Sequence, residues 1–486
     1  MADELQDRRG WGVIALVAVS VVSVFGLVLA PAANDYFFLF DDYKLVGQAL
    51  ELPTWMLAVQ PHFHYFRPLV HLVLSLEAMA FGWSSPWGYA WAGLLCHIVN
   101  SGLLGTLLWR VGWAPWRATA AAGLFCLAPW PMEALFWASC RFELLACCVM
   151  LAASHVAWSF SNEPGRPGLK VLFGLLVLAS CLCKETAAAA WVGVLLGGQC
   201  ATGQWRSLSA GRLRPVLWSA LALYLGLRFV VMVAFAGGDP LGGHRGNVVA
   251  LLLGSGTLSN LGSHLQSLVL PMLPDGANGL HLAYGAVMLL GVAGGLRGAM
   301  RASIGALLAA SMALLPALWI AREPSSLAGG RLLYLPGLFL VVMVSYGWSC
   351  AVRDLPWRRA CFGGLFAIAV AICGLSAHQQ ARVWRSGYAV ARAAMHEYAA
   401  LDVPAGPRHI TNMPFVMREG PYLLKPYAFV WYGGRRTAHT ITATPSIYEM
   451  ASDGARPLTR WAKRQVDVPR GAHRIELKFN ARGPNR

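Results

Sequence analysis

The chain has 486 residues, 57% apolar and only 13% charged, against roughly 25% charged in soluble domains; this excludes a soluble globular protein and indicates a polytopic membrane protein. Lys and Arg outnumber acids 39 to 23, a formal charge of +16, but the surplus is spread over short loops between apolar segments, as topology signals are, and implies no nucleic-acid partner. Most of the 11 cysteines lie inside apolar segments (Cys126, Cys147, Cys148, Cys181, Cys183) without recurrent ligand spacing, so neither a disulfide scaffold nor a zinc site is indicated.

In chain order, MADELQDRRG carries no signal-peptide cleavage site, so the first apolar stretch is expected to stay as an anchor. Spans are predicted at 11–31, 87–109, 118–129, 135–158, 170–183, 186–200, 214–236, 280–296, 303–320, 331–351 and 360–376. The stretch 68–83, PLVHLVLSLEAMAFGW, is short and carries His71 and Glu77. If it does not cross, the basic clusters Arg8–Arg9, Arg110 with Arg117, Arg166 with Lys170, Arg206 with Arg212 and Arg214, Arg297 with Arg301, and Arg353 with Arg358 and Arg359 all fall on one side. The positive-inside rule makes that side cytoplasmic. The expectation is an all-α membrane protein of about 11 helices, N-terminus in and C-terminus out, with 68–83 an interfacial or re-entrant helix in a first outer loop at about 32–86.

On that topology the unusual polar residues gather at the outer boundary: Asp41, Asp42, His62, His64, Arg67, Glu133, Lys184, Glu185, Arg322, Glu323, Arg331 and Tyr334. FFLFDDYKLV (37–46) ends an aromatic run in two adjacent carboxylates, which repel unless something favours their charge. They read as a solvated pair, a general base or metal ligands. In HFHYFRPL (62–69) the proline favours an extended residue before the next helix. Arg67 there is either an interfacial anchor or a grip on phosphate, which its donor fork fits. PWPMEALFWASCRFELL (129–145) puts Glu133 at a helix start and Arg141 and Glu143 within the membrane, where pairing with each other is the plain alternative to function. CKETAAAAW (183–191) makes Lys184–Glu185 a charged hinge between apolar runs, and Arg228 is a lone cation inside a span. GGRLLYLP (329–336) spaces Arg331 and Tyr334 for one helix face. Together these describe an outward-facing cavity with one or two bases and several cations, open to lipid and water, which suits a lipid-phosphate substrate.

From about 378 the composition becomes that of a soluble segment, with alternating stretches such as HRIELKF (473–479) after a helical 379–400. The division expected is a membrane module, 1–377, and a small basic, mainly β outer domain, 378–486, that gathers the acceptor, covers the site or merely caps it.

FDDY (40–43), YFRPL (65–69), HIVN (97–100), EALFWASCRFELL (133–145), CKE (183–185) and GRLLYLP (330–336), in this order, resemble the GT-C superfamily of polyprenyl-phosphate-sugar-dependent glycosyltransferases. The similarity is greatest to the membrane module of protein O-mannosyltransferases of the transmembrane-and-tetratricopeptide type, then to the lipid A aminoarabinose transferase. The resemblance implies an inverting transfer of sugar from a polyprenyl-phosphate donor to a hydroxyl on protein, glycan or lipid. Asp41 would be the catalytic base, Asp42 a supporting or acceptor-orienting partner in catalysis, Arg67, Lys184 and Arg331 donor-phosphate ligands, and Glu133 a supporting residue. From the residues themselves, Arg228 joins the donor-phosphate ligands, and His62, His64, Arg141, Glu185 and Tyr334 are expected to support substrate. No cofactor is expected, although a divalent metal remains an alternative. The implied site is a bacterial inner membrane with its chemistry on the periplasmic face. Tetratricopeptide repeats are absent from this sequence, and Trp130-Pro131 stands where the family often has His-Pro. Competing readings are a flippase for lipid-linked sugars and a ligase with a pyrophosphate-linked donor; paired halves of the transporter kind are not seen.

Overall fold

The computed structural model describes residues 14–15, 17–59, 65–163, 166–200, 211–235, 256–269, 278–318, 330–353, 355, 357–401, 408–417, 423–424, 441–451, 454–460 and 473–475. The first helix, α1 (Val17–Asn34), ends in a short loop. Three helices then precede the next long one: α2 (Asp42–Glu51), α3 (Thr54–Val59) and α4 (Pro68–Phe81). Proline at the first position of α4 supplies a pre-set φ, Arg67 before it is extended (φ −136°), and Gly82 closes the helix at φ 54°. With 14 residues, α4 is about 21 Å long, short of the ~30 Å hydrocarbon core. It packs on both α2 and α3.

The bundle continues with α5 (Trp87–Arg110), α6 (Pro115–Leu127), the single turn α7 (Met132–Phe136), a 3-10 turn at Ala138–Cys140, and α8 (Arg141–Asn162). Next come α9 (Pro167–Cys183), α10 (Glu185–Cys200), α11 (Arg214–Phe235), α12 (Gly256–Val269), α13 (Asn278–Leu314), α14 (Tyr334–Ala351) and α15 (Arg358–Ala400). Among the described residues seven helices are long and apolar enough to cross a membrane, and Pro68–Phe81, Pro167–Cys183 and Glu185–Gly197 are shorter apolar ones. This is an integral membrane protein. The backbone of α13 breaks at Ala299 (φ −154°, ψ 58°), and the chain folds back there, bringing Gly295 against the Ser303 hydroxyl. The predicted segments 280–296 and 303–320 are thus two arms of one hairpin. Its first arm packs on α14 so closely that a Cβ on Gly347 would overlap the Gly291 carbonyl.

Two features depart from the sequence reading. No element was expected between 236 and 280, yet α12 lies there, tied to the end of the hairpin by Asn260 Nδ2 donating to the Leu318 carbonyl at 2.8 Å. The predicted span 360–376 and helix 379–400 are one continuous helix: at 43 residues, α15 is about 65 Å long, twice the hydrocarbon thickness, so its second half stands outside it.

Beyond α15, strands β1 (Arg408–Met417), β2 (Ile441–Ala451), β3 (Gly454–Arg460) and β4 (His473–Ile475) form one sheet in the order β3-β2-β1-β4. β1 runs parallel to both β2 and β4, and β3 closes antiparallel on β2. Of the predicted strand HRIELKF only its first three residues lie among those described.

Candidate active site

Asp41 and Asp42 point to different places because the backbone turns sharply before them. Phe40 holds φ at 41°, the left-handed region that a bulky side chain enters only when its surroundings demand it. Here its N–H donates to the Leu423 carbonyl at 2.7 Å and its ring lies edge-on to Trp137, centroids 6.0 Å apart. Asp42, at the start of α2, is fully buried. Its Oδ2 accepts from the Tyr36 hydroxyl (2.8 Å) and the Leu39 N–H (3.1 Å). Its Oδ1 accepts from the Ser139 N–H (2.7 Å) and hydroxyl (2.5 Å). Burial pushes its carboxyl up to about 6, against the downward pull of those donors. Asp42 therefore does not face the cavity. It ties the first loop to the 3-10 turn of Ser139, leaving Asp41 as the carboxylate that lines the space.

That space is a cavity of about 130 Å³ whose polar wall includes Asp41, Arg67, His71, Ser139, Lys184 and Arg331, with Tyr65, Trp137 and Phe142 as aromatic neighbours. Three elements far apart in sequence converge there: the extended residue ahead of α4, the hinge between α9 and α10, and the turn ahead of α14. Behind each cation stands a carboxylate outside the lining. Arg67 gives Glu185 a two-point grip, Nε to Oε2 at 3.0 Å and Nη2 to Oε1 at 2.6 Å. It also lies over the rings of Tyr65 (4.1 Å) and Phe142 (4.2 Å). Burial opposes the Arg67 charge, but Glu185 more than offsets that and holds its pKa above the ordinary value. Lys184 Nζ is 3.2 Å from Glu185 and 3.5 Å from Glu143, above the Phe142 ring. Arg331 pairs with Glu133, whose other oxygen accepts the Arg331 N–H at 2.9 Å. Burial first, then the charge of Arg67, holds the His71 ring down to about 4, so it is neutral at pH 7.

The other predicted residues fall as follows. Glu133 and Glu185 are the carboxylates just described. Arg141 is buried and paired with Glu77 (Nε to Oε1, 3.0 Å) and the Tyr89 carbonyl. Glu143 turns instead to Lys184, since residues two apart on a helix face different sides; the alternative of Arg141–Glu143 pairing is corrected. Tyr334 does not line the cavity with Arg331. Arg331 belongs to the 3-10 turn Gly330–Leu333 and faces the cavity, whereas Tyr334 opens α14 and points into the bundle. There its oxygen lies 2.6 Å from His97 Nδ1 and accepts from Asn100 Nδ2 at 3.0 Å. Arg228 is half-buried on α11 and does not line the cavity. His62, His64, Arg322 and Glu323 lie outside the described residues. Sequence reasoning missed His71, Trp137 and Ser139 as wall residues; the signal was the place of His71 in the short helix after HFHYFRPL and of Trp137 and Ser139 within WASCRFELL. No group of three His, Cys, Asp or Glu side chains converges among the described residues.

The fold is similar to that of two solved structures. A crystal structure of ArnT from Cupriavidus metallidurans bound to undecaprenyl phosphate superposes with a TM-score of 0.51 at 12% identity, covering 91% of this chain and 93% of that one. The apo Archaeoglobus fulgidus oligosaccharyltransferase superposes at 0.50 and 14% identity, covering 90% of this chain and 64% of the archaeal protein. In sequence, the protein O-mannosyl-transferase Tmtc2 of Drosophila melanogaster is 31% identical over 130 residues, 26% of this chain and 14% of the fly protein. The sequence matches no family model.

Proposed function

We propose that the chain is an inverting glycosyltransferase that moves a sugar from a polyprenyl-phosphate donor to a hydroxyl acceptor on protein, glycan or lipid at the outer face of the membrane. The observation that carries this reading is the meeting of one carboxylate, Asp41, with three cations, Arg67, Lys184 and Arg331, in one cavity. Support comes from neighbours of the same fold, one bound to undecaprenyl phosphate, and from the O-mannosyl-transferase similarity.

In this mechanism the donor's tail lies between helices and its phosphate meets the three cations. Asp41 takes the proton of the acceptor hydroxyl as its oxygen attacks the anomeric carbon from the side away from the phosphate. The new carbon–oxygen bond forms as the bond to phosphate breaks, which inverts the centre, as carboxylate-activated water does in inverting glycosidases. The electron pair leaves with the polyprenyl phosphate, and the cations hold the charge that develops there. Because the carboxylates behind them fix these cations before substrate arrives, little reorganisation is left for the reacting step. Arg228, on the neighbouring α11, is a further donor ligand in this reading, once phosphate is bound.

The topology proposed is eleven crossings, counting the hairpin of α13 as two and including the shorter helices α6, α9 and α10. Helix α4 rests at the interface, the N-terminus is cytoplasmic, and the active site and the sheet lie on the periplasmic side of a bacterial inner membrane. The test is transfer of labelled sugar from synthetic polyprenyl phosphate by purified protein; lipid translocation in vesicles without any glycosidic product would replace this reading with a flippase. Activity that survives EDTA is expected; loss restored by Mg²⁺ or Mn²⁺ would overturn the metal-free mechanism.

A further inference from the structure

The loop that delivers Asp41, residues 35–41, is gripped at both ends by the part of the chain that follows the last crossing. At its start, Arg385 Nε donates to Asp35 Oδ2 at 2.5 Å and Arg392 Nη2 to the Asp35 carbonyl at 2.8 Å. The same Arg392 lies over the Phe37 ring, 5.4 Å from its centroid. In the middle, the Tyr388 ring meets Tyr36 edge-on at 5.1 Å. The Tyr388 hydroxyl donates to the Phe136 carbonyl at 2.7 Å, one residue before Trp137 in the cavity wall. At its end, Phe40 is hydrogen-bonded to Leu423, and Leu423 and Leu424 are fully buried. None of Asp35, Tyr388, Arg385, Arg392 or Leu423 lines the cavity.

We propose that the segment after the last crossing is a positioning clamp for the catalytic loop, with Tyr388 and the Asp35–Arg385 pair as its positioning residues. The clamp is needed because the loop belongs to no helix and contains Phe40 in a conformation that costs about 1–3 kcal/mol. Released, Phe40 relaxes to negative φ and swings the adjacent Asp41. The two grips differ in kind. The Asp35–Arg385 pair is partly exposed, 37% and 27%, and such pairs alone contribute little. Tyr388 is buried, so its hydroxyl and ring carry more of the hold.

The kinetic consequence rests on the transferase reading; the structural one does not, and the experiment keeps them apart. Full-length protein is compared with Tyr388→Leu, with Arg385→Asp, and with the swap Asp35→Arg plus Arg385→Asp. Amide exchange of residues 36–42 is read alongside kcat and donor KM. Tyr388→Leu, which removes both the ring against Tyr36 and the bond to Phe136, is expected to speed exchange at 36–42 about tenfold while the spanning helices keep parental protection. Misplacement of a reacting group by about 1 Å costs on the order of 10²-fold, so kcat should fall about 10–100-fold with donor KM within about twofold. The swap should recover most of what Arg385→Asp loses. Unchanged exchange at 36–42 overturns the clamp. So does faster exchange throughout the chain with a lowered Tm, which would make the segment a general stabilising cap. If parental protein transfers no sugar, the functional reading fails while the exchange data still decide the clamp.

Discussion

Asp42→Asn is the substitution whose cost follows most directly from the site. It changes almost no volume, yet every acceptor lone pair of Asp42 is in use: Tyr36 and Leu39 donate to one oxygen, and the N–H and hydroxyl of Ser139 to the other. Asparagine must replace one oxygen by an NH₂. If it replaces Oδ2, the Tyr36 hydroxyl rotates to accept, but the Leu39 N–H cannot. If it replaces Oδ1, the Ser139 hydroxyl adapts and the Ser139 N–H cannot. Neither orientation escapes, so one buried backbone donor always faces another donor, at roughly 1–3 kcal/mol. That cost is a sizeable part of the ~5–15 kcal/mol that holds a typical fold together. Thermal unfolding in detergent, followed by tryptophan fluorescence, should show Asp42→Asn melting about 1–3 °C below the parent, the shift expected for a chain of 486 residues. Asp41→Asn should melt with it. Equal Tm values for Asp42→Asn and the parent would refute the four-donor account.

Asp41→Asn should remain folded but lose about 10²–10⁴-fold in kcat, as removal of a positioned base does; sugar transfer by the purified variant measures it. Arg67→Lys gives up one arm of the two-point contact with Glu185 and should raise donor KM about tenfold, the worth of one charge-assisted bond, read from initial rates against donor concentration. Glu133→Gln removes the charge that orients Arg331 and should lower kcat about tenfold or more with a smaller effect on Tm, since the amide still spans the same gap. The fold holds Asp42 above its ordinary 3.8, at about 6, so the folded state binds the extra proton. Its stability contribution is complete below about pH 4 and fades as pH rises through 6, by about 3 kcal/mol in all. A Tm series from pH 4 to 7 should decline in the parent and flatten in Asp42→Asn.

The polar cluster was legible because charge is costly in an apolar chain; Asp41, Arg67, Lys184 and Arg331 follow from that alone. What the sequence could not disclose was direction. Neighbouring aspartates look alike until Phe40, held by a residue nearly four hundred positions away, turns one inward and the other toward the cavity. Arg331 and Tyr334 are spaced for one helix face, yet Arg331 meets Glu133 beside the cavity while Tyr334 meets His97 and Asn100 inside the bundle. Arg141 and Glu143 seemed natural partners until Glu77 and Lys184 arrived from other helices. The continuity of α15 was hidden because its composition changes where the hydrocarbon ends although its backbone does not.

The carboxylates standing behind the cations have one more consequence. Around this site Arg67, Lys184 and Arg331 are matched by Asp41, Glu133, Glu143 and Glu185, so the protein projects no net positive field from the pocket into the surrounding water. A lipid-borne anion would thus find it by sliding through the leaflet rather than by long-range attraction, and its capture should hardly notice added salt. In the proposed transfer the same balance would let the spent carrier depart, because a bare trio of cations would hold a phosphate too long for repeated use.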